Sequence, residues 1–329
     1  MRISTLTTAI ITLALGCSAR AQTPILLPLT STIPLPNVQG RFDHFSIDIQ
    51  GKRLFAAALG NDSLEVIDIA QNKKIQSIPN LKKPTGSAWI AELNRLAVAS
   101  GDDGMCRFFD GNPLKFASEI KNLDDADNVR YDATGKKLYV GYASGALAVI
   151  DPEKMQKITD IKLDAHPEAF QLENSGNRIF INLPDAHEIA VADRNKNLVI
   201  AKWPLKDPSA NFPMALDEAR KRIFIGCRKP ARLLVLDMDS GKQIAKVECV
   251  GDTDDLFYDA AQNRIYISGG EGAITIIRQL DADHYESLAS IKTAPGARTS
   301  FFSPDLKALY LAVPHRGNQQ AQIRVYSPQ

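Results

Sequence analysis

A four-residue phrase that opens on Leu or Ile and closes on a smaller residue occurs seven times along this chain, each time after a basic or polar turn. It reads LFAA at Leu54, LAVA at Leu96, LYVG at Leu138, IFIN at Ile179, IFIG at Ile223, IYIS at Ile265 and LYLA at Leu309. Successive anchors lie 42, 42, 41, 44, 42 and 44 residues apart. Self-similarity at such a period marks a propeller or a solenoid. The repeats also form an internal control. A demand of the scaffold recurs in every copy, whereas a functional site breaks the pattern.

The third repeat shows what one unit is. NVRYD is a short strand, ATGKK a turn, KLYVGY an alternating strand, ALAVID a third strand after Ser144-Gly145, and KITDIKL a fourth after PEKMQ. Short strands separated by Gly, Asn, Asp or Pro predict an antiparallel four-stranded meander. Seven such sheets packed radially make an all-β, seven-bladed β-propeller, in which each sheet buries both faces against its neighbours. The last repeat stops after IRVYS, its third strand, while the segment ILLPLTSTIPL (residues 25–35) precedes the first repeat and has no blade of its own. The sequence therefore predicts that residues 22–40 supply the fourth strand of blade seven and close the ring, protecting an open edge.

The phrases KRLFAAALGNDSLEVIDIAQNKKIQSI, KKLYVGYASGALAVIDPEKMQKITDI and NRIYISGGEGAITII resemble the YVTN repeat of YncE-like seven-bladed propellers, although the strict YVTN spelling is absent. The resemblance runs over residues 22–329 and implies one propeller domain. It implies no single activity: the family takes in binding proteins and relatives of propeller lactonases and lyases, and fold does not fix function.

Residues 1–21 stand apart. Arg2 is followed by a short apolar stretch at 6–16 and by Ala19-Arg20-Ala21, the small-x-small form of a signal-peptidase site. This pattern predicts a cleaved secretory signal and a periplasmic or secreted protein. The stretch is too short for a membrane anchor. A rival reading makes Cys17 a lipidated cysteine. The other cysteines are Cys106, Cys227 and Cys249. Cys227 and Cys249, two strands apart in blade five, should lie about 10 Å from each other, too far for a disulfide. No CxxC or CxxCH occurs, and neither a haem, an NAD nor a quinone signature is found. Formal net charge is +1 with no long run of one sign, which gives no footprint for nucleic acid or anionic membrane. A monomer is expected.

The loops from strand four into the next strand one diverge most. With the loops between strands two and three they should ring one mouth of the central channel. RFDH (41–44), DDADN (124–128), DAHPE (164–168), DPSANFP (207–213), GDTDD (251–255) and APGART (294–299) carry a concentration of ionisable side chains. His44 and His166 are candidate general acids or bases. Asp127, Glu168, Asp254 and Asp255 are candidate ligands for a divalent cation, since hard oxygens with an imidazole suit Ca²⁺, Mg²⁺, Mn²⁺ or Zn²⁺. Arg41, Asp43, Asn128, Asn211, Arg228, Arg298 and His315 are candidate ligand contacts. Two carboxylates 4 Å apart repel by about 4 kcal/mol at an effective dielectric of 20, so such a mouth needs compensating cations or bound protons. The structural alternative is that loop aspartates make Asx turns and that His166-Pro167 is a rigid turn. Two functions follow: an exported binder of a small polar ligand or protein partner, or an enzyme (hydrolase, lactonase or lyase, with or without a metal) working at the same mouth.

Overall fold

The computed structural model describes residues 26–207 and 209–329. The expectations placed on residues 1–21 and on Cys17 lie outside the described residues. Seven four-stranded antiparallel sheets account for the described chain. Six are simple meanders, covering residues 45–79, 84–120, 129–162, 170–204, 209–248 and 253–292. In the seventh, strands Ser300–Ser303, Ala308–Val313 and Gln322–Tyr326 are joined by Leu29–Pro34, which pairs antiparallel with Gln322–Tyr326 as the outer strand. Among the described residues the helical content is two three-residue 3₁₀ turns, Leu59–Asn61 and Ala91–Leu93.

The repeated phrase falls on the second strand of every blade, and its unbroken apolar character has a direct cause. Side chains of a strand point alternately to opposite faces, and both faces of each sheet are covered. Leu54 and Ala56 enter a core shared with Tyr310 and Ile323 of blade seven, whereas Phe55 and Ala57 enter one shared with Leu96 and Val98 of blade two. The same division holds onward: Leu138 and Val140 face blade two, Tyr139 faces blade four. Seven separate apolar cores result, one in each gap between neighbouring blades, including the gap between seven and one.

Scaffold charges are equally regular. Asp68, Asp151, Asp193 and Asp237, which end third strands, each accept two backbone N–H groups of the following turn. Arginines opening second strands pair with nearby acids, as Arg53 does with Asp48 at 2.8 Å, Arg95 with Asp110 at 2.6 Å and Arg178 with Glu173 at 2.6 Å. Asx turns are thus a property of the scaffold end of the blades. Among the described residues, Asp43, Asp127, Glu168, Asp254 and Asp255 make none. Cys106, Cys227 and Cys249 are free thiols.

Candidate functional site

The first strands line the propeller axis, and pairing with the second strands gives their positions a common register. Phe45, Ser87, Val129, Phe170, Met214, Leu256 and Ser300 all oppose the third residue of the repeated phrase. Two residues earlier stand Asp43, Thr85, Asp127, Glu168, Phe212, Asp254 and Arg298. Asp43, Asp127 and Glu168 are held alike, each backbone N–H donating to a carbonyl of its own second strand: Ala57, Gly141 and Asn182. Five of seven equivalent places at the mouth therefore carry an ionisable side chain, and they are the places where the repeats disagree.

Three clusters result. In the first, His44 Nδ1 lies 3.2 Å from Asp255 Oδ1, and Nε2 lies 3.8 Å from Asp43. Asp255 Oδ2 also accepts the Ser300 N–H at 2.8 Å. Burial acts to lower the His44 pKa, but Asp255, Asp43 and Asp127 outweigh it and push the imidazole up to about 10. Burial raises the Asp43 carboxyl well above the usual range, aided by Asp254 and Asp127 and opposed by His44 and Arg41.

In the second cluster, one ligand atom each from Asp127, His166 and Glu168 lie within 4.8 Å of one another. The Ala143 carbonyl is 2.7 Å from His166 Nδ1, so that nitrogen carries a hydrogen and donates it, leaving Nε2 turned toward Asp127 Oδ2 at 4.0 Å. A backbone carbonyl fixing one ring nitrogen while the other faces carboxylates is how metal-binding histidines are oriented. Burial opposes the His166 charge, but Asp127, the Ala143 carbonyl and Glu168 raise its pKa to about 9. Burial lifts Glu168 to about 7, with Asp127 and Asp254 adding to the effect. Asp127 goes the other way: burial acts to raise it, but the two histidines hold it below its ordinary value. Asp127 Oδ1 and both side-chain polar atoms of the adjacent, buried Asn128 have no hydrogen-bond partner among the described residues.

The third cluster is saturated. Asp254 is gripped by Arg228 on one oxygen and by Arg298 at 3.0 Å on the other. Arg298 also bonds Asp252 at 2.7 Å, and the Arg228 guanidinium lies 3.5 Å from the Phe212 ring centroid.

The structure thus brings together His44, Asp43 and Asp255, then Asp127, His166 and Glu168, then Arg228, Asp254 and Arg298. Asp254 and Asp255, read from sequence as cation ligands, stand outside the close trio with their oxygens engaged by arginines, by His44 and by Ser300. Asn211 is fully buried and clips blade five to blade four, donating to Asn182 Oδ1 and the Glu188 carbonyl. Arg41 is 40% exposed at 3.7 Å from Asp43. His315 is half-buried, its N–H on the Gly40 carbonyl.

Sequence reading missed Arg130. This residue and His44, Asp255, Ser87 and Ser300 line a cavity of about 520 Å³ running along the axis, walled by first strands of all seven blades. The places equivalent to Arg130 hold Ser46, Ala88, Gln171, Ala215, Phe257 and Phe301. Comparing repeats inside strands, rather than in loops alone, would have exposed it.

No family model matches the chain. Curated relatives named "Uncharacterized protein YncE" do: those of Salmonella typhi and Salmonella typhimurium strain LT2 are each 23% identical over 214 residues, or 63% of this chain and 59% of theirs. The protein of that name from Escherichia coli O157:H7 is 28% identical over 137 residues, 40% of this chain and 39% of its own. The chain thus spans less than two thirds of the length of the curated relatives it matches. Among solved structures, a chain of Kuenenia stuttgartiensis hydrazine synthase superposes with a TM-score of 0.71 at 17% identity, covering 92% of this chain and 96% of that one. A chain of the mitotic checkpoint complex gives 0.76 at 11% identity, covering 98% and 99%. At such identities these two speak for the fold alone. Sequence and architecture together describe a YncE-like seven-bladed β-propeller.

Proposed function

We propose that this protein is an exported binding propeller that takes a small polar ligand at its charged mouth, with a divalent cation held by Asp127, His166 and Glu168. The observation that carries this reading is the register of the mouth: ionisable groups, four carboxylates and one arginine, occupy five of seven equivalent places, while scaffold charges repeat and pair off. Two carboxylates and an imidazole within 4.8 Å are a suitable donor set for Mn²⁺ or Zn²⁺, and Ca²⁺ would draw further oxygens from the ligand. A bound cation would displace the His166 proton and draw Glu168 into its ionised form. It would also give the bare Asp127 oxygen a partner. Export is inferred from the composition of residues 1–21; cell fractionation tests it.

Calorimetry with Mn²⁺ or Zn²⁺ tests the site. One cation per chain is expected, with affinity falling at least tenfold in Asp127→Asn and in Glu168→Gln. A wild-type protein that binds neither metal would remove the cation from this reading.

A second reading, a hydrolase, lactonase or lyase at the same mouth, is favoured by one specific feature. Glu168, held at about 7, is poised to exchange a proton near neutrality, which is what a general acid or base requires. Turnover of simple lactones lost in Glu168→Gln, with folding intact, would support it.

A further inference from the structure

Resting on the reading of the mouth as a ligand site, we infer that the ligand is a small anion whose carboxylate or phosphate end enters the axial channel and is received by Arg130. Of the three arginines among the candidate ligand contacts, Arg41 stands 40% exposed at the rim, 3.7 Å from Asp43, and the other two are already committed. Arg228 and Arg298 share Asp254, and Arg298 also holds Asp252. Arg130 differs from both. Among the described residues its side chain makes one hydrogen bond, from a terminal nitrogen to the Val129 carbonyl of its own strand at 2.9 Å, no carboxylate oxygen comes within 4.0 Å, and the guanidinium lies 5.8 Å from the Phe170 ring centroid. A guanidinium has five N–H donors in a planar fork suited to an oxyanion, so four remain for a ligand.

The surroundings fit. Arg130 is the one charged residue at its register position in the seven blades, and a cavity of about 520 Å³ lies against it. That volume is within the range of small-molecule sites. Ala88, at the equivalent place in blade two, and the hydroxyls of Ser87 and Ser300 form wall that is small or polar. Burial disfavours the Arg130 charge, and Asp255 and Asp127 offset this in part. A desolvated cation with an aromatic ring and one carbonyl but no anion beside it is costly, and an entering oxyanion would supply that anion. A ligand anchored there lies against His44 and Asp255 of the first cluster, which line the same cavity. The channel is walled on all sides by strands, which selects a small molecule over a macromolecule.

The test is calorimetric titration of the purified protein, in EDTA at low ionic strength, with inorganic phosphate and separately with succinate. Binding of at least one is expected, and which one binds assigns the oxyanion. Arg130→Gln should weaken it at least tenfold, Arg130→Lys severalfold because the fork is lost, and Arg278→Gln, an exposed residue of blade six paired with Glu286, should leave it unchanged. Should Arg130→Gln fail to fold, Arg130→Lys decides: full affinity retained overturns the inference. A wild-type protein that binds neither probe, or an Arg130→Gln protein that folds and binds as well as wild type, also overturns it. Mn²⁺ binding, measured in EDTA-free buffer, separates the two claims. Mn²⁺ bound without either oxyanion leaves the cation site standing and removes the role of Arg130, whereas an oxyanion bound without Mn²⁺ does the reverse.

Discussion

Buried charge in this molecule comes in two kinds, distinguished residue by residue. Arg53 and Asp48 are 3% and 6% exposed and satisfy each other, with the guanidinium stacked 4.6 Å from the centroid of Trp89. Removing one member of such a pair strands the other, so Arg53→Ala should cost about 3–5 kcal/mol in urea unfolding. The acids and histidines of the first two mouth clusters instead share too few partners. His44 is raised from 6.5 to about 10 by the acids around it. A base whose pKa is higher in the folded state stabilises fully below its unfolded pKa and loses that contribution as pH rises through the folded one. The unfolding free energy of wild type minus His44→Gln should therefore be largest below pH 6.5 and shrink steadily toward pH 10. A gap that widens with pH would contradict the His44–Asp255 pairing. The acids and histidines of this cluster were readable from sequence because they break a repeat. Which of them touch was not, because each comes from a different blade and only the register of the first strands aligns them.

At the scale of elements, strands two and three could be read directly, since burial on both faces leaves a continuous apolar signal. The placement of Leu29–Pro34 beside Gln322–Tyr326 was legible by subtraction, from a last repeat one strand short. Ile33 is fully buried in the core between blades seven and one. Ile33→Ala should cost about 2–5 kcal/mol, measured by urea denaturation; an unaffected midpoint would mean that this strand contributes little. Less legible were the irregularities between third and fourth strands, as at Val66/Ile67, Val149/Ile150 and Val191/Ala192, which carry no residue signature. Close approach between blades is equally silent in sequence. A Cβ on Gly86 would sit 2.5 Å from the Asp127 carbonyl oxygen and 3.0 Å from the Val129 nitrogen. Backbone, not a flexible side chain, is in the way. Gly86→Ala must move the loop carrying Asp127, and a more than tenfold loss of Mn²⁺ affinity is expected by calorimetry.

For the whole molecule, the apolar cores lie between blades rather than within them, so no blade can keep its core without both neighbours. Unfolding should accordingly be one cooperative event. Trp89 in blade two and Trp203 in blade four are the two tryptophans, and they report on different sectors of the ring. Their combined fluorescence and the far-UV circular dichroism should follow a single coincident transition in urea. Separate midpoints would show that sectors melt independently, as in open repeat arrays.

Periodicity by itself determined the fold, because short, continuously apolar strands recurring every 41 to 44 residues leave few other ways to bury both faces of seven sheets. It also determined which residues are exceptions to the repeat. Their grouping was decided by tertiary structure: Asp254 went to two arginines, Asp127 and Glu168 to His166, Asn211 to a blade contact, and Arg130 to the channel wall. Side-chain partnership across a ring depends on distances of a few ångströms between segments some 40 residues apart, and a repeat fixes the order of such segments without fixing those distances.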